Sequence, residues 1–154
     1  MDASIEKAIE RAGSLFGHGN NCAEAVLTAL LEAAKLNPED YGAVATAFGG
    51  GVGNSDLTCG ALSGAILALG LTRHQRRPGD SIAKQTLYTE IQRLTEGFRA
   101  AVGSSSCTDI LGENLSQPGG RERASELGLF DKNCPRAVEL ATRLGGEILK
   151  SRQK

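Results

Sequence analysis

The segment Thr58 to Leu71, TCGALSGAILALGL, decides how this chain folds. It contains no charged residue, and it sets Gly60 and Gly64 four apart, with Ala61, Ala65 and Ala68 beside them. It is shorter than the ~20 apolar residues that a membrane span needs. A helix that is apolar on every side must instead be surrounded by other elements. The segment therefore predicts a central helix over about 58–71, and its small residues let a neighbouring backbone approach closely.

Outward from this segment, every long stretch reads with helical period. Ile5, Ala8, Ile9, Ala12, Leu15 and Phe16 form one stripe before Gly17. A second helix opens at Asn21, with Glu24 three residues on, as in a capping box. Asn37 and Pro38 begin a third. The glycine-rich GGGVGNSD, residues 49–56, then breaks the chain. It is read as a left-handed helix stop rather than a phosphate loop, because it follows a helix and lacks Lys-Ser/Thr. RHQRRPGD is read as a polar connection. A long helix follows from about Asp80 to Val102, with Leu87, Ile91, Leu94, Phe98 and Val102 inward. A short one is capped by Ser106, then comes loop with one helical turn. A last helix is expected to begin at Cys134-Pro135. No segment alternates long enough to make a strand. The expected fold is all-α, a single domain over 1–154 with six or seven helices around the apolar one.

Composition excludes several classes of function. The net charge of −1 supplies no field to recruit nucleic acid or a membrane surface. Aromatic residues are 4% with no Trp, too few for a base-stacking platform. MDASIEKAIERAG is charged and amphipathic, without the apolar region of a secretory signal. The expected location is cytoplasmic, where thiols rest reduced.

Chemistry is concentrated in four cysteines, Cys22, Cys59, Cys107 and Cys134, spaced 37, 48 and 27 residues apart. No C-x-x-C is present, so no local thioredoxin-like motif or zinc ribbon exists. Each falls near a predicted helix start. There the free N–H groups and about half a positive charge stabilise a thiolate, lowering its pKa from ~8.5. Helix starts meeting in space would make a pocket for redox thiols or for a metal.

The pattern NCAEAV, FGGGVG, CGALSG, SCTDILG and NCPRAVELA resembles the C_GCAxxG_C_C family. That family is marked by four single cysteines, the second within a C-G-A-x-x-G motif. Here the motif is Cys59-Gly60-Ala61-Leu62-Ser63-Gly64, and Cys22, Cys107 and Cys134 match the other three, over roughly Gly17 to Leu149. The resemblance implies redox activity shared by the four thiols. It names no substrate and no redox partner.

The leading expectation is dithiol–disulfide cycling, with Cys59 as attacking thiolate and Cys22, Cys107 or Cys134 resolving it. All three complete pairings stay open. No cofactor is needed under cycling. The alternative is a zinc or iron–sulfur module held by the same four cysteines, although its ligands are normally paired closely in sequence. A third reading takes the cysteines as inert core residues of an interaction protein. Gly50, Gly51, Gly53, Gly60 and Gly64 are the candidates for close approach to a cofactor. His18 and His74 are read first as surface residues, and Asp56, Glu24 and Asp109 as caps, one of which could accept a thiol proton. Ala-rich helices could also make a homodimer face, which no heptad locates.

Overall fold

The computed structural model describes residues 2–73 and 77–154. Nine α-helical segments form the chain among these residues: α1 (Ala3–Leu15), α2 (Cys22–Ala33), α3 (Gly42–Thr46), α4 (Gly49–Val52), α5 (Gly60–Leu71), α6 (Ser81–Val102), α7 (Cys107–Leu111), α8 (Gly120–Glu126) and α9 (Leu129–Ser151). The all-α expectation holds. The higher count comes from short segments: the expected third helix is divided into a 3-10 turn at Pro38–Asp40 and α3, while α4 falls in the glycine-rich stretch read as a break.

The apolar α5 packs against α2, α9 and α6, with α3 and α4 at its margins. Gly60 to Ala65, Ala68 and Leu69 are all buried. Its glycines act as the sequence suggests. A Cβ on Gly64 would lie 2.6 Å from the carbonyl oxygen of Ala23, so only glycine lets α2 and α5 approach this closely. Against this pair lie the stripe of α6, with Leu87, Leu94 and Phe98 buried, and that of α9, with Ala137, Val138, Ala141 and Ile148.

Caps fix where the elements begin. Asn21 Oδ1 accepts from the Glu24 N–H at 2.8 Å while the Asn21 N–H donates to Glu24 Oε1 at 3.1 Å, completing the capping box. Asp80 Oδ1 accepts from the Ala83 N–H at 2.9 Å. The last helix departs from expectation. It begins at Leu129, behind Gly128 at φ 66°, and Pro135 lies inside it. Proline fits a first helical position; inside α9 it removes one ladder hydrogen bond and crowds the carbonyl four residues back, a cost of about 3 kcal/mol that the packing of α9 against α1, α5 and α6 offsets.

The glycine-rich break is more unusual than a single left-handed cap. Gly50, Gly51, Val52, Gly53 and Asn54 all have φ between 61° and 75°. Left-handed backbone costs L-residues about 1–2 kcal/mol each, and most for a β-branched one. Three glycines make the run affordable, and Val52 sits in it under strain. Asp56 is left-handed as well, at φ 58°.

A cavity lined by four cysteines

Cys22, Cys59, Cys107 and Cys134 all line one cavity of about 250 Å³. They reach it from different elements. Cys22 is the first residue of α2, Cys59 caps α5 and Cys107 is the first residue of α7. Cys134 is a correction: it lies within α9, not at a helix start, because α9 begins at Leu129. None is in a disulfide; Cys59 is buried at 6% exposure and the other three are partly buried.

Local structure explains the convergence. The Cys59 N–H donates to the Ser105 carbonyl at 2.8 Å and the Cys107 N–H donates to the Leu57 carbonyl at 2.9 Å. These two bonds flank an antiparallel bridge between Thr58 and Ser106. Side chains of alternate residues share a face, so Cys59 and Cys107 are diagonal neighbours on one side of the bridge. Cys22 meets α5 at Gly60, where an added Cβ would lie 2.5 Å from the Cys22 sulfur. The left-handed run closes the other side. A Cβ on Gly51 would lie 2.7 Å from Cys107 Cβ and 3.0 Å from the Leu57 backbone. Asp56 accepts hydrogen bonds from Thr108 Oγ1 and from Asn114 Nδ2, tying that run to α7.

The cavity lies between two apolar clusters. Cys59 belongs to the main core and Cys22 packs against it. Cys107 and Cys134 pack against a smaller cluster of Leu111, Leu115 and Ala124. The sulfurs therefore divide into an inner pair, Cys22 and Cys59, and an outer pair, Cys107 and Cys134.

Electrostatics overturn one expectation. The backbone N–H groups of Gly50, Ala23, Cys22 itself and Ala61 favour the charged form of Cys22, and those of Ala61 and Leu62 favour that of Cys59. Helix starts do gather there, yet all four thiols are raised, not lowered. Burial is the main cause each time. It pushes Cys22 up against its four N–H groups. Cys59 is pushed up to about 12 by burial and then by Cys22. Cys107 is pushed up to about 11 by burial, Cys22 and Asp56. Cys134 is pushed up to about 12 by burial, the other three cysteines and Asp131. About half a charge at a helix start does not compensate for removing a thiolate from water into an apolar cavity that also holds three other sulfurs.

The sequence of this chain matches, over residues 20–148, the family described as "Putative redox-active protein (C_GCAxxG_C_C)". The chain belongs to that family. Among curated proteins and among solved structures no match is found. The match spans all four cysteines and the C-G-A-x-x-G motif, and so covers the whole wall of sulfurs.

The other candidates separate clearly. Gly50 and Gly60 line the cavity; Gly51, Gly53 and Gly64 do not, serving backbone conformation and packing instead. His18 is exposed and does not line it, although its neighbours Gly17 and Asn20 do. His74 lies outside the described residues. Among the described residues, no group of three or more His, Cys, Asp or Glu side chains is gathered to hold a metal ion. The four thiols share one cavity, and no disulfide joins any of them. No helix among the described residues is long and apolar enough to cross a membrane.

Sequence reasoning did not assign to the site other parts of the cavity wall, among them Phe16, Leu111, Leu115, Arg121, Phe130 and Asp131. Asp131 stands three residues before Cys134 and would share its helix face, a signal readable only once α9 is known to start at Leu129. Arg121 carries no signal in the sequence.

Proposed function

We propose that this protein is a thiol–disulfide redox protein in which Cys22 is the first thiolate and Cys59 its resolving partner. The observation that carries the reading is that four cysteine side chains, from segments far apart in sequence, line a single small cavity. Cys22 replaces Cys59 as the attacking sulfur for two reasons. It is the more exposed of the inner pair, and it is the first residue of α2, where the free backbone N–H groups of the first turn favour a thiolate. Those groups are placed to stabilise charge that develops on sulfur during exchange, as preorganised donors do in other active sites.

Cys107 and Cys134 form the second couple, able to exchange with the first across the cavity. High thiol pKa values keep all four sulfurs protonated and quiet at neutral pH. Exchange then proceeds from the small thiolate fraction, and a thiolate of high pKa is intrinsically the stronger nucleophile.

The test is a thiol count under native and denaturing conditions, before and after equilibration with oxidised and reduced dithiothreitol. Expected are four thiols per reduced chain, falling by two or four on oxidation and returning on reduction. Four thiols that stay free throughout would overturn the reading. So would stoichiometric zinc or iron in anaerobically purified protein.

A further inference from the structure

The cavity's contents and its rim differ in character. Phe16, Leu111, Leu115 and Phe130 make the wall apolar around the sulfurs, and two charged residues, Arg121 and Asp131, also line it. Both are exposed, which sets them at the mouth. The Arg121 guanidinium is held over the Phe130 ring, 5.3 Å from its centroid. Neither Arg121 nor Asp131 takes part in an ion pair among the described residues. A cation and an anion thus share one mouth without neutralising each other.

The volume bounds the ligand. About 250 Å³ exceeds the ~150 Å³ cavity known to take benzene and falls below the roughly 300–1,000 Å³ of drug-sized sites. The enclosed space is matched to a group smaller than a whole nucleotide, flavin or haem. An apolar interior suits the disulfide bond and its methylenes, while the mouth offers one partner for a carboxylate and one for an ammonium group.

Resting on the thiol-exchange reading, we infer that the substrate is a small disulfide with a zwitterionic amino-acid half, the carboxylate of that half met by Arg121 and its ammonium by Asp131. The reaction balances without a further reagent. The Cys22 thiolate attacks one substrate sulfur, the substrate S–S bond breaks, and the first thiolate leaves and takes up a proton. Cys59 then attacks the Cys22 sulfur of the mixed disulfide and releases the second thiol. The protein dithiol loses two electrons and the substrate disulfide gains them, giving one protein disulfide and two small thiols.

The experiment mixes reduced protein with four probes of similar size: cystine, cystamine, 3,3′-dithiodipropionate and 2-hydroxyethyl disulfide. Each rate is divided by the rate of the same probe with dithiothreitol. The expected result is that cystine is favoured at least tenfold over the other three. With each rate referred to the same variant's rate for the neutral probe, Arg121→Gln should erase cystine's advantage over cystamine, and Asp131→Asn its advantage over dithiodipropionate. Equal normalised rates in the wild-type protein would overturn the inference, as would a preference for the dianion or the dication. Failure of all four probes, the neutral one included, would instead count against thiol exchange itself.

Discussion

The Cys22 sulfur rests against the bare Cα of Gly60, so closely that a Cβ there would lie 2.5 Å from it and 2.9 Å from the Phe48 carbonyl oxygen. The glycine after the motif cysteine is therefore the seat of another cysteine. Gly60→Ala must displace Cys22 or separate α2 from α5. Overpacking of this kind costs about 1–3 kcal/mol. Denaturant unfolding should show that loss, and oxidation to a protein disulfide should slow. Gly13→Ala is the control: it lies in α1 with no atom within 4 Å of the new Cβ, and it should gain about 0.5–1 kcal/mol.

Raised thiols give stability a pH dependence of definite sign. A thiol whose pKa is higher folded than unfolded keeps its proton longer in the native state. Its contribution is complete below the unfolded value of ~8.5 and is lost as pH rises toward the folded values of about 11 to 12. Thermal midpoints should therefore fall between pH 8.5 and 10.5. Cys59→Ala should lower stability at pH 7 yet flatten that fall. A midpoint that rises across this window would contradict the burial argument.

Asp56 contributes to the raised pKa of Cys107 while holding Thr108 and Asn114. Asp56→Asn removes the charge and keeps a group of the same shape. Alkylation of Cys107 by iodoacetamide, followed by peptide mapping at pH 8, should be faster in the variant. The alkylation rate of Cys134 serves as internal reference.

Much of the architecture was legible because local signals agreed. The charge-free segment around Leu62 and Leu69 could only be central, and Asn21 with Glu24 marked a helix start that the hydrogen bonds bear out. The start of α9 was not legible. Pro135 is a strong first-turn residue, and nothing local to Leu129 outweighs it; packing of α9 against α1, α5 and α6 does. The sulfur-lined wall was anticipated from four scattered cysteines, but the sign of their pKa shifts was not. Sequence shows the helix starts and hides the dryness of the cavity they meet in. Arg121 and Asp131 belong to segments whose relation to Cys22 exists only in three dimensions.

Val52 tests the left-handed run. A β-branched residue at φ 64° is held there by its neighbours. Val52→Gly should raise stability by up to about 1 kcal/mol, the relieved backbone strain less glycine's entropy. Val52→Ala should gain less, because alanine still carries a Cβ. Thermal unfolding of both variants beside the wild type distinguishes them.

Disulfide mapping after mild oxidation is the most direct measurement of the central claim. Reduced protein is oxidised with a limiting disulfide at low protein concentration, alkylated, digested and read by mass spectrometry. The predicted first product is an intramolecular Cys22–Cys59 bond, with Cys107–Cys134 appearing as oxidation proceeds. Finding all four residues alkylated, or only bonds between chains, would contradict an account in which these sulfurs share one cavity and exchange electrons there.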